Sequence, residues 1–186
     1  MSETLKYPDV PYVDDADNLI EQGQLRQARG RGFAVRVARL FLAQDGDYIL
    51  LQRRGEDVDF PLTLDCSVDG YVDITDSFSD ADDYKIATIR ETQEELGLIV
   101  SKDELKQMGH YLLDLESSVA PEWTKVYSCN YDESAQGLIV PNQEEVASIL
   151  WLSINEVNEM VLDDPVRFEP GFPKDFQYFV NNNQHR

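Results

Sequence analysis

Basic residues are scarce in this chain of 186 residues. Lysine and arginine total 16 against 36 aspartates and glutamates, which gives a formal net charge of −20 at pH 7. Duplex nucleic acid and anionic membrane surfaces are bound through clusters of basic residues, so we expect neither as a partner. The same charge repels an anionic substrate at long range unless a metal ion and local arginines reverse the field at the binding site.

Cysteines, long apolar runs and repeats are also scarce. Cys66 and Cys129 lack the spacing of a metal site, so we expect two free thiols in a reducing compartment, which favours the cytoplasm. No apolar run approaches about 18 residues, so no transmembrane helix is expected. The first ten residues lack the basic and apolar segments of a secretory signal. We predict a single domain over residues 1–186.

The predicted elements alternate between strands and helices. Residues 1–30 are expected to be an N-terminal extension with a short edge strand at 10–13, and residues 163–186 a C-terminal loop and short helix. Ser153 and Glu156 have the spacing of a helix capping box. This order predicts an α+β fold or a layered α/β/α arrangement. The predicted strands cover residues 34–43, 48–54, 66–72, 105–115, 123–131 and 147–152, and the helices cover residues 84–96, 154–162 and 176–180.

The most informative segment is the first of these helices. Glu91, Glu94 and Glu95 are spaced i, i+3 and i+4, so they share one face of the helix. Like charges at this spacing repel each other, and a divalent cation would relieve the repulsion. Hard oxygen ligands suit Mg²⁺ or Mn²⁺, which indicates phosphate chemistry. The apolar residues expected on the opposite, packed face are Ile86, Ile89 and Leu96.

Residues 90–98 resemble the second half of the Nudix hydrolase signature, Arg-Glu-apolar-any-Glu-Glu-any-Gly-apolar, with Thr92 as the one departure. In the first half, Gly70 is followed after five residues by Asp76, where the family has glutamate. Thirteen residues instead of seven then precede Arg90, so we predict a Nudix box with six extra residues around residues 80–83. An alternative alignment without the insertion puts Asp76 at the glycine and Asp82 at the glutamate.

The flanking segments are similar to the Nudix branch of isopentenyl-diphosphate isomerase. The resemblance covers roughly residues 34–162 and implies a Nudix-like α/β/α sandwich with a central mixed sheet. The isomerase places a cysteine just before the box glycine and a histidine just after it, where this chain has Asp69 and Tyr71. It also uses upstream histidines, and no histidine precedes His110 here. The resemblance therefore favours hydrolysis over isomerisation.

The Nudix resemblance implies Mg²⁺- or Mn²⁺-dependent attack of water on a small organic diphosphate. The general base is left open between Glu94 and the pair Glu144 and Glu145. Asp69 is an alternative to Gly70 as the source of a backbone carbonyl ligand. The implied metal ligands are Glu91, Glu94, Glu95, Gly70 and Asp76. The implied catalytic residues are Glu94, Glu91, Arg90 and Glu145, with Arg90 holding a carboxylate in place.

The substrate cannot be read from the box. Arg53 and Arg54 point to opposite faces of a strand, so at most one faces the cleft. Phe60, Tyr71 and Trp123 are candidates to stack on a base or to line an apolar pocket. A non-catalytic nucleotide-binding module is the main alternative function, and a monomer and a homodimer are both open. The loops expected to discriminate substrates are residues 55–64, 119–125 and 168–173.

Overall fold

A computed structural model describes residues 7–76, 83–116 and 118–183. Its described residues form a nine-stranded sheet with helices packed against both faces. The strands are β1 (Asp9–Val13), β2 (Leu19–Gln24), β3 (Ala34–Gln44), β4 (Tyr48–Arg54), β5 (Leu64–Asp65), β6 (Val68–Tyr71), β7 (Lys106–Leu113), β8 (Glu122–Asn130) and β9 (Val146–Ser153). The helices are α1 (Asp83–Leu96), α2 (Glu133–Gln136), α3 (Ile154–Asp163) and α4 (Phe172–Asn183).

Strand β3 is the centre of the sheet. It pairs in parallel with β8 and antiparallel with β1, β4 and β6, while β7 extends the sheet beyond β8 and β9 pairs with β4. Almost every residue of β3 is buried, as expected for a strand covered on both faces. The mixed central sheet predicted from the sequence is therefore confirmed.

Two hydrophobic cores lie on opposite faces of this sheet. Leu40 and Leu42 of β3 pack on the side of α1, whereas the intervening Phe41 packs on the side of α3 and α4. Successive side chains of a strand point to opposite faces, so one strand contributes to both cores. The helices on both faces confirm the α/β/α sandwich. Among the described residues, no helix is both long enough and apolar enough to cross a membrane.

The N-terminal region is more structured than the sequence predicted. Strand β1 is not an edge strand, because it pairs with β3 on one side and with β2 on the other. Strand β2 escaped prediction because its side chains are mostly exposed and show no clear alternation. Leu19 and Ile20 of this strand are about half exposed.

The C-terminal half follows the prediction with one extension. The capping box of Ser153 and Glu156 is confirmed, with the Ser153 side chain accepting from the Glu156 amide. Helix α4 begins at Phe172, inside the predicted loop, and continues beyond Val180. Pro173 did not prevent this, since proline is tolerated in the first turn of a helix, where its missing amide is not needed.

Candidate active site

Helix α1 packs only partly as expected: Leu96 is fully buried and Ile89 packs against the core, but the buried face extends further towards the acids. Ile86 and Ile89 are only partly buried, whereas Glu95 is 5% exposed. The hydroxyl of Thr92 donates to the Thr88 carbonyl at 2.6 Å, so a threonine can occupy this apolar position of the box. The buried residues of the helix are Tyr84, Ala87, Thr88, Thr92, Glu95 and Leu96.

Three carboxylates form an acidic cluster between α1 and the loop before β9. Oxygens of Glu91, Glu95 and Glu145 all lie within 4.8 Å of one another. The Gln52 side-chain amide, from β4, donates to Glu95 at 3.0 Å, and the Asn142 side-chain amide donates to Glu145 at 2.8 Å. These neutral donors orient two of the carboxylates without cancelling their charge.

The loop that carries Glu145 is fixed by backbone hydrogen bonds. The Asn142 amide donates to the Glu95 carbonyl at 2.8 Å, using an acceptor that the C-terminus of α1 leaves unpaired. The Gly55 amide, just after β4, donates to the Glu145 carbonyl at 2.6 Å. The loop of Glu145 is thus tied to α1, which carries Glu91 and Glu95, and to the end of β4, which carries Gln52. Glu144 is exposed and lies outside it.

Gly70 allows α1 to approach the sheet at the level of Glu91. A Cβ atom at Gly70 would overlap the Glu91 side chain. The glycine position of the box is therefore required by close packing of a carboxylate against β6. Gly70 also lines the cavity above the acidic cluster.

Arg90 connects the acidic cluster to Asp76, in the first half of the Nudix box. Its guanidinium donates to Asp76 at 2.8 Å, to Glu91 at 2.7 Å and to Glu94 at 2.9 Å, and also to the Tyr71 carbonyl. Asp76 is 3% exposed, and both of its oxygens accept from Arg90. Asp76 and Glu94, although predicted as metal ligands, lie outside the three-carboxylate cluster. The expectation that Arg90 holds a carboxylate in place agrees with these contacts.

Residues 77–82, which include most of the proposed insertion and Asp82, lie outside the described residues.

The acidic cluster has the donor set and charge that suit a divalent cation. Burial raises the pKa of Glu91 to about 7 and the pKa of Glu95 well above its ordinary range, with the neighbouring carboxylates adding to the latter shift. Burial and then Glu94 raise the pKa of Glu145. Ligand atoms on opposite sides of Mg²⁺ are about 4.2 Å apart. Side-chain movements below about 1 Å would therefore bring the three carboxylate oxygens within ligand distance of one ion. The residues present therefore fit Mg²⁺ or Mn²⁺.

Two cavities adjoin in this region. The first cavity, of about 230 Å³, lies over the acidic cluster, and the second cavity, of about 130 Å³, lies beside it. Arg54, Asp69 and Tyr71 line both of them. Phe60 lines the second cavity. Arg53 lines neither and donates to the Leu62 carbonyl. As expected from strand alternation, only one of the two neighbouring arginines faces the cleft.

Sequence reasoning missed a buried ion network behind the second cavity. Arg39 of β3 is 2% exposed and contacts Glu169 at 3.0 Å and Glu122 at 3.3 Å. The sequence did offer one signal of this network, because Arg39 is a charged residue in the middle of β3, the most apolar strand. The acids around Arg39 are far apart in sequence, so spacing alone did not connect them. Among the residues that the structure describes, five carboxylates lie within 3.6 Å of the Arg39 guanidinium, those of Asp65, Asp69, Glu122, Glu169 and Asp175.

The remaining candidate residues lie away from the two cavities. Trp123 donates to the Asp14 carbonyl, and His110 lies 3.0 Å from Asp17. Cys66 and Cys129 are buried free thiols, as expected. His185 lies outside the described residues.

Comparison with known proteins identifies relatives of this arrangement. Over 98 residues the chain is 33% identical to isopentenyl-diphosphate Delta-isomerase of Photobacterium profundum, a match of 51% of this chain and 52% of the isomerase. It therefore spans about half the length of that relative. Over 149 residues the chain is 26% identical to an uncharacterised Nudix hydrolase of Yersinia pestis, covering 80% of this chain and 74% of the relative.

A solved structure shows the same fold. The crystal structure of a Deinococcus radiodurans protein superposes with a TM-score of 0.62 at 23% identity, covering 84% of this chain and 90% of that one. The NUDIX domain model matches residues 31–171, which is more than half of the chain and contains the box, the acidic cluster and every lining residue of the two cavities except Pro8. The chain belongs to the Nudix hydrolase family.

Proposed function

We propose that this protein hydrolyses the diphosphate linkage of a small organic diphosphate, with Mg²⁺ or Mn²⁺ as its cofactor. The observation that carries the proposal is the acidic cluster of Glu91, Glu95 and Glu145, whose oxygens converge within 4.8 Å beside an open cavity. A cation bound there neutralises phosphate oxygens and lowers the pKa of bound water. Membership of the Nudix family supports the same chemistry, since its hydrolases generally use divalent metal ions.

Residues of the protein hold the cation, bind the phosphates and accept the proton. Glu91 and Glu95 of α1 hold the cation, and Arg90 fixes the Glu91 carboxylate. Arg54 lies where the two cavities meet, in position to bind a phosphate oxygen of the bridging diphosphate. In the reaction a water oxygen bonds to one phosphorus, the bond from that phosphorus to the bridging oxygen breaks, and a carboxylate accepts the water proton.

A substrate screen tests the proposal. The protein is incubated with Mg²⁺ and a panel of nucleoside triphosphates, nucleotide sugars, dinucleotides, coenzyme A and isoprenoid diphosphates, and the products are separated by chromatography. We expect cleavage of at least one diphosphate bridge that stops when EDTA is added. Absence of cleavage across the panel in both Mg²⁺ and Mn²⁺ would contradict hydrolysis, and ligand binding without cleavage would indicate a binding module.

Glu145 is proposed either as a further metal ligand or as the base that accepts the water proton. Replacement of Glu145 by glutamine removes the negative charge at constant shape and separates these possibilities. A ligand role predicts that Mn²⁺ affinity falls about 10-fold or more, whereas a base role predicts a fall in kcat of about 100-fold with Mn²⁺ affinity retained. Normal kcat together with normal affinity would exclude Glu145 from both roles. Glu144→Gln on the same loop is the control.

Isomerase activity is the less favoured alternative. Cys66, the only cysteine near the box, is fully buried, contacts the Val68 carbonyl and lines neither cavity. Burial raises its pKa well above the ordinary value, so the thiolate is not available for proton transfer. Asp69 and Tyr71 occupy the positions beside Gly70. Conversion of isopentenyl diphosphate to its isomer without phosphate release would overturn the hydrolase assignment.

A further inference from the structure

The guanidinium of Arg54 has donors that the protein does not use. Its Nε donates to the Asp59 carbonyl at 2.8 Å, and its Nη1 donates to Asp65 at 2.8 Å and to Asp69 at 2.7 Å. A guanidinium carries five N–H groups, so these three bonds leave both N–H groups of Nη2 without an acceptor among the residues that the structure describes. Arg54 lines both cavities, and 15% of its side-chain surface is exposed. The free donors are therefore the ones available to a phosphate oxygen.

Two aspartates lie between Arg54 and a second arginine. Asp65 Oδ2 and Asp69 Oδ2 both accept from Arg54 Nη1, whereas the Oδ1 atoms of the same residues lie 3.6 Å from the guanidinium of Arg39. Two negative and two positive charges balance within this group of four. Each aspartate thus bridges the arginine at the cavities to an arginine that is 2% exposed.

Neighbouring strands set these contacts. Arg39 of β3 and Asp69 of β6 are direct cross-strand partners, and Asp65 of β5 is the partner of Gln52 on β4. Arg54 follows Gln52 by two residues on β4, so it points to the same face and reaches Asp65 diagonally. Side chains held on strands keep a more precise position than side chains on loops. The sheet therefore fixes both ends of the contact between Arg54 and Asp65.

Asp65 is the more confined of the two aspartates. It is fully buried and lines neither cavity, whereas Asp69 lines both. Asp65 Oδ1 accepts from the Cys66 amide at 2.7 Å, and Oδ2 accepts from Arg54. Both oxygens are thus engaged on the buried side, where a bound anion does not reach them.

From this geometry we propose that Asp65 is a positioning residue for substrate binding. It holds Arg54 Nη1 from the buried side, so that the two N–H groups of Nη2 stay free for a phosphate oxygen of the diphosphate. Arg39 supports Asp65 from behind. Because Arg54 is already held in place, it loses little side-chain entropy when the substrate binds. This role rests on the proposed hydrolysis, in which Arg54 binds the diphosphate.

Asp65→Asn tests this role, because asparagine has one side-chain oxygen instead of two. That oxygen is engaged by the Cys66 amide, and the side-chain NH₂ group then faces Arg54 Nη1, so the hold on Arg54 is lost. The affinity for methylenediphosphonate, a diphosphate analogue that is not hydrolysed, is measured by calorimetry with Mg²⁺ at pH 8. This pH is above the value of about 7 to which burial raises the pKa of Asp65.

We expect the affinity for this analogue to fall about tenfold in Asp65→Asn, while the Mn²⁺ affinity stays within about threefold of the wild type. For the panel compound that is cleaved fastest, KM should rise about tenfold and kcat stay within about threefold. Loss of a negative charge alone would strengthen binding of an anion, so a fall in affinity reports the lost hold on Arg54. Unchanged or tighter binding of the analogue would overturn the proposal.

Asp175→Asn is the matched control. Asp175 is also fully buried beside Arg39, where its Oδ2 lies 3.3 Å from Nε, and it accepts from the Tyr111 hydroxyl. The substitution removes the same charge from the same network at a residue that lines neither cavity, so the affinity for the analogue should fall by less than about threefold. An equal fall in both variants would show a general disturbance of the network and would contradict the role of Asp65.

A measurement on the wild type keeps the test independent of how well the variant folds. Nitrogen NMR of the Arg54 guanidinium, assigned through Arg54→Lys, is recorded without ligand and then with Mg²⁺ and methylenediphosphonate. We expect separate signals for Nη1 and Nη2 before ligand is added, because the bonds of Nη1 slow rotation of the guanidinium, and a shift mainly in Nη2 afterwards. A single averaged signal in the free protein would overturn the proposal.

Two outcomes separate this role from hydrolysis itself. If no diphosphate of the panel is cleaved, but the analogue binds and Asp65→Asn weakens its binding, hydrolysis is wrong and the positioning role stands. If cleavage occurs and Asp65→Asn behaves like Asp175→Asn, hydrolysis stands and the positioning role is wrong.

Discussion

At the scale of single residues, Gly70 controls the geometry of the acidic cluster. Any side chain there overlaps Glu91, so Gly70→Ala should displace this carboxylate and lower both Mn²⁺ affinity and turnover by about tenfold or more. Overpacking of this kind costs about 1–3 kcal/mol of unfolding free energy. Isothermal titration with Mn²⁺ and urea unfolding measure the two effects. Gly30→Ala is the control because its Cβ would meet no atom within 4 Å, and equal results for the two variants would contradict the account.

The sequence predicted the helix residues of the site better than their partners. Helical spacing brought Glu91, Glu94 and Glu95 together, because neighbours on one helix are fixed by local geometry. It did not show that Glu94 points to solvent while Glu95 turns inward, since that depends on where α1 meets β4 and β6. Glu145 was named through the family resemblance, and the hydrogen bonds of its loop to α1 and β4 were not predictable from spacing. Glu122 was missed because its partner Arg39 is 83 residues away in sequence.

At the scale of elements, the turn between β1 and β2 is tied to the start of α1. Asp17 accepts hydrogen bonds from Arg36 at 2.7 Å and from the Tyr84 hydroxyl at 2.8 Å, and Arg36 also donates to Asp83 at 3.0 Å. Asp17 has a φ of 61°, which asparagine tolerates equally well. The N-terminal hairpin therefore supports the helix that carries the acidic cluster.

Asp17→Asn tests this support. The substitution keeps the backbone and removes the charge, so the free energy of unfolding should fall by about 1–3 kcal/mol. Amide exchange in the first turn of α1 should become faster. Asp15→Asn, at an exposed position of the same turn, should change neither quantity. Unchanged exchange in Asp17→Asn would show that the hairpin does not hold α1.

Whether a strand could be predicted from the sequence depended on how much of it is buried. Strands β3 and β4 were predicted closely because their apolar residues are buried and regularly placed. Strand β2 was not predicted, since an exposed outer strand has no buried face to impose a pattern.

At the scale of the whole molecule, buried acids make stability depend on pH. Burial raises the pKa of Glu122 to about 7 from an ordinary value of 4.5, against the attraction of Arg39 and with added repulsion from Asp69 and Glu169. Between these two pH values the folded state holds more protons than the unfolded state, so the free energy of unfolding falls as pH rises through the window. Asp65 shifts in the same direction, to about 7.

Urea unfolding in EDTA between pH 5 and pH 8 measures this dependence. We expect the wild-type protein to lose stability as the pH rises, and Glu122→Gln to flatten part of that slope. A slope of the same size in Glu122→Gln and the wild type would show that Glu122 titrates normally in the folded protein. Glu159→Gln controls for the change in net charge.

The proposed hydrolysis depends above all on binding of a divalent cation by the acidic cluster of α1 and its neighbouring loop. The most direct measurement is a titration of the EDTA-treated protein with Mn²⁺, followed by the electron paramagnetic resonance of the free ion. We expect the wild type to bind Mn²⁺, Glu95→Gln to weaken this binding at least tenfold, and Glu159→Gln to leave it unchanged. Equal Mn²⁺ binding by the wild type and Glu95→Gln, or no binding by the wild type at millimolar Mn²⁺, would contradict it.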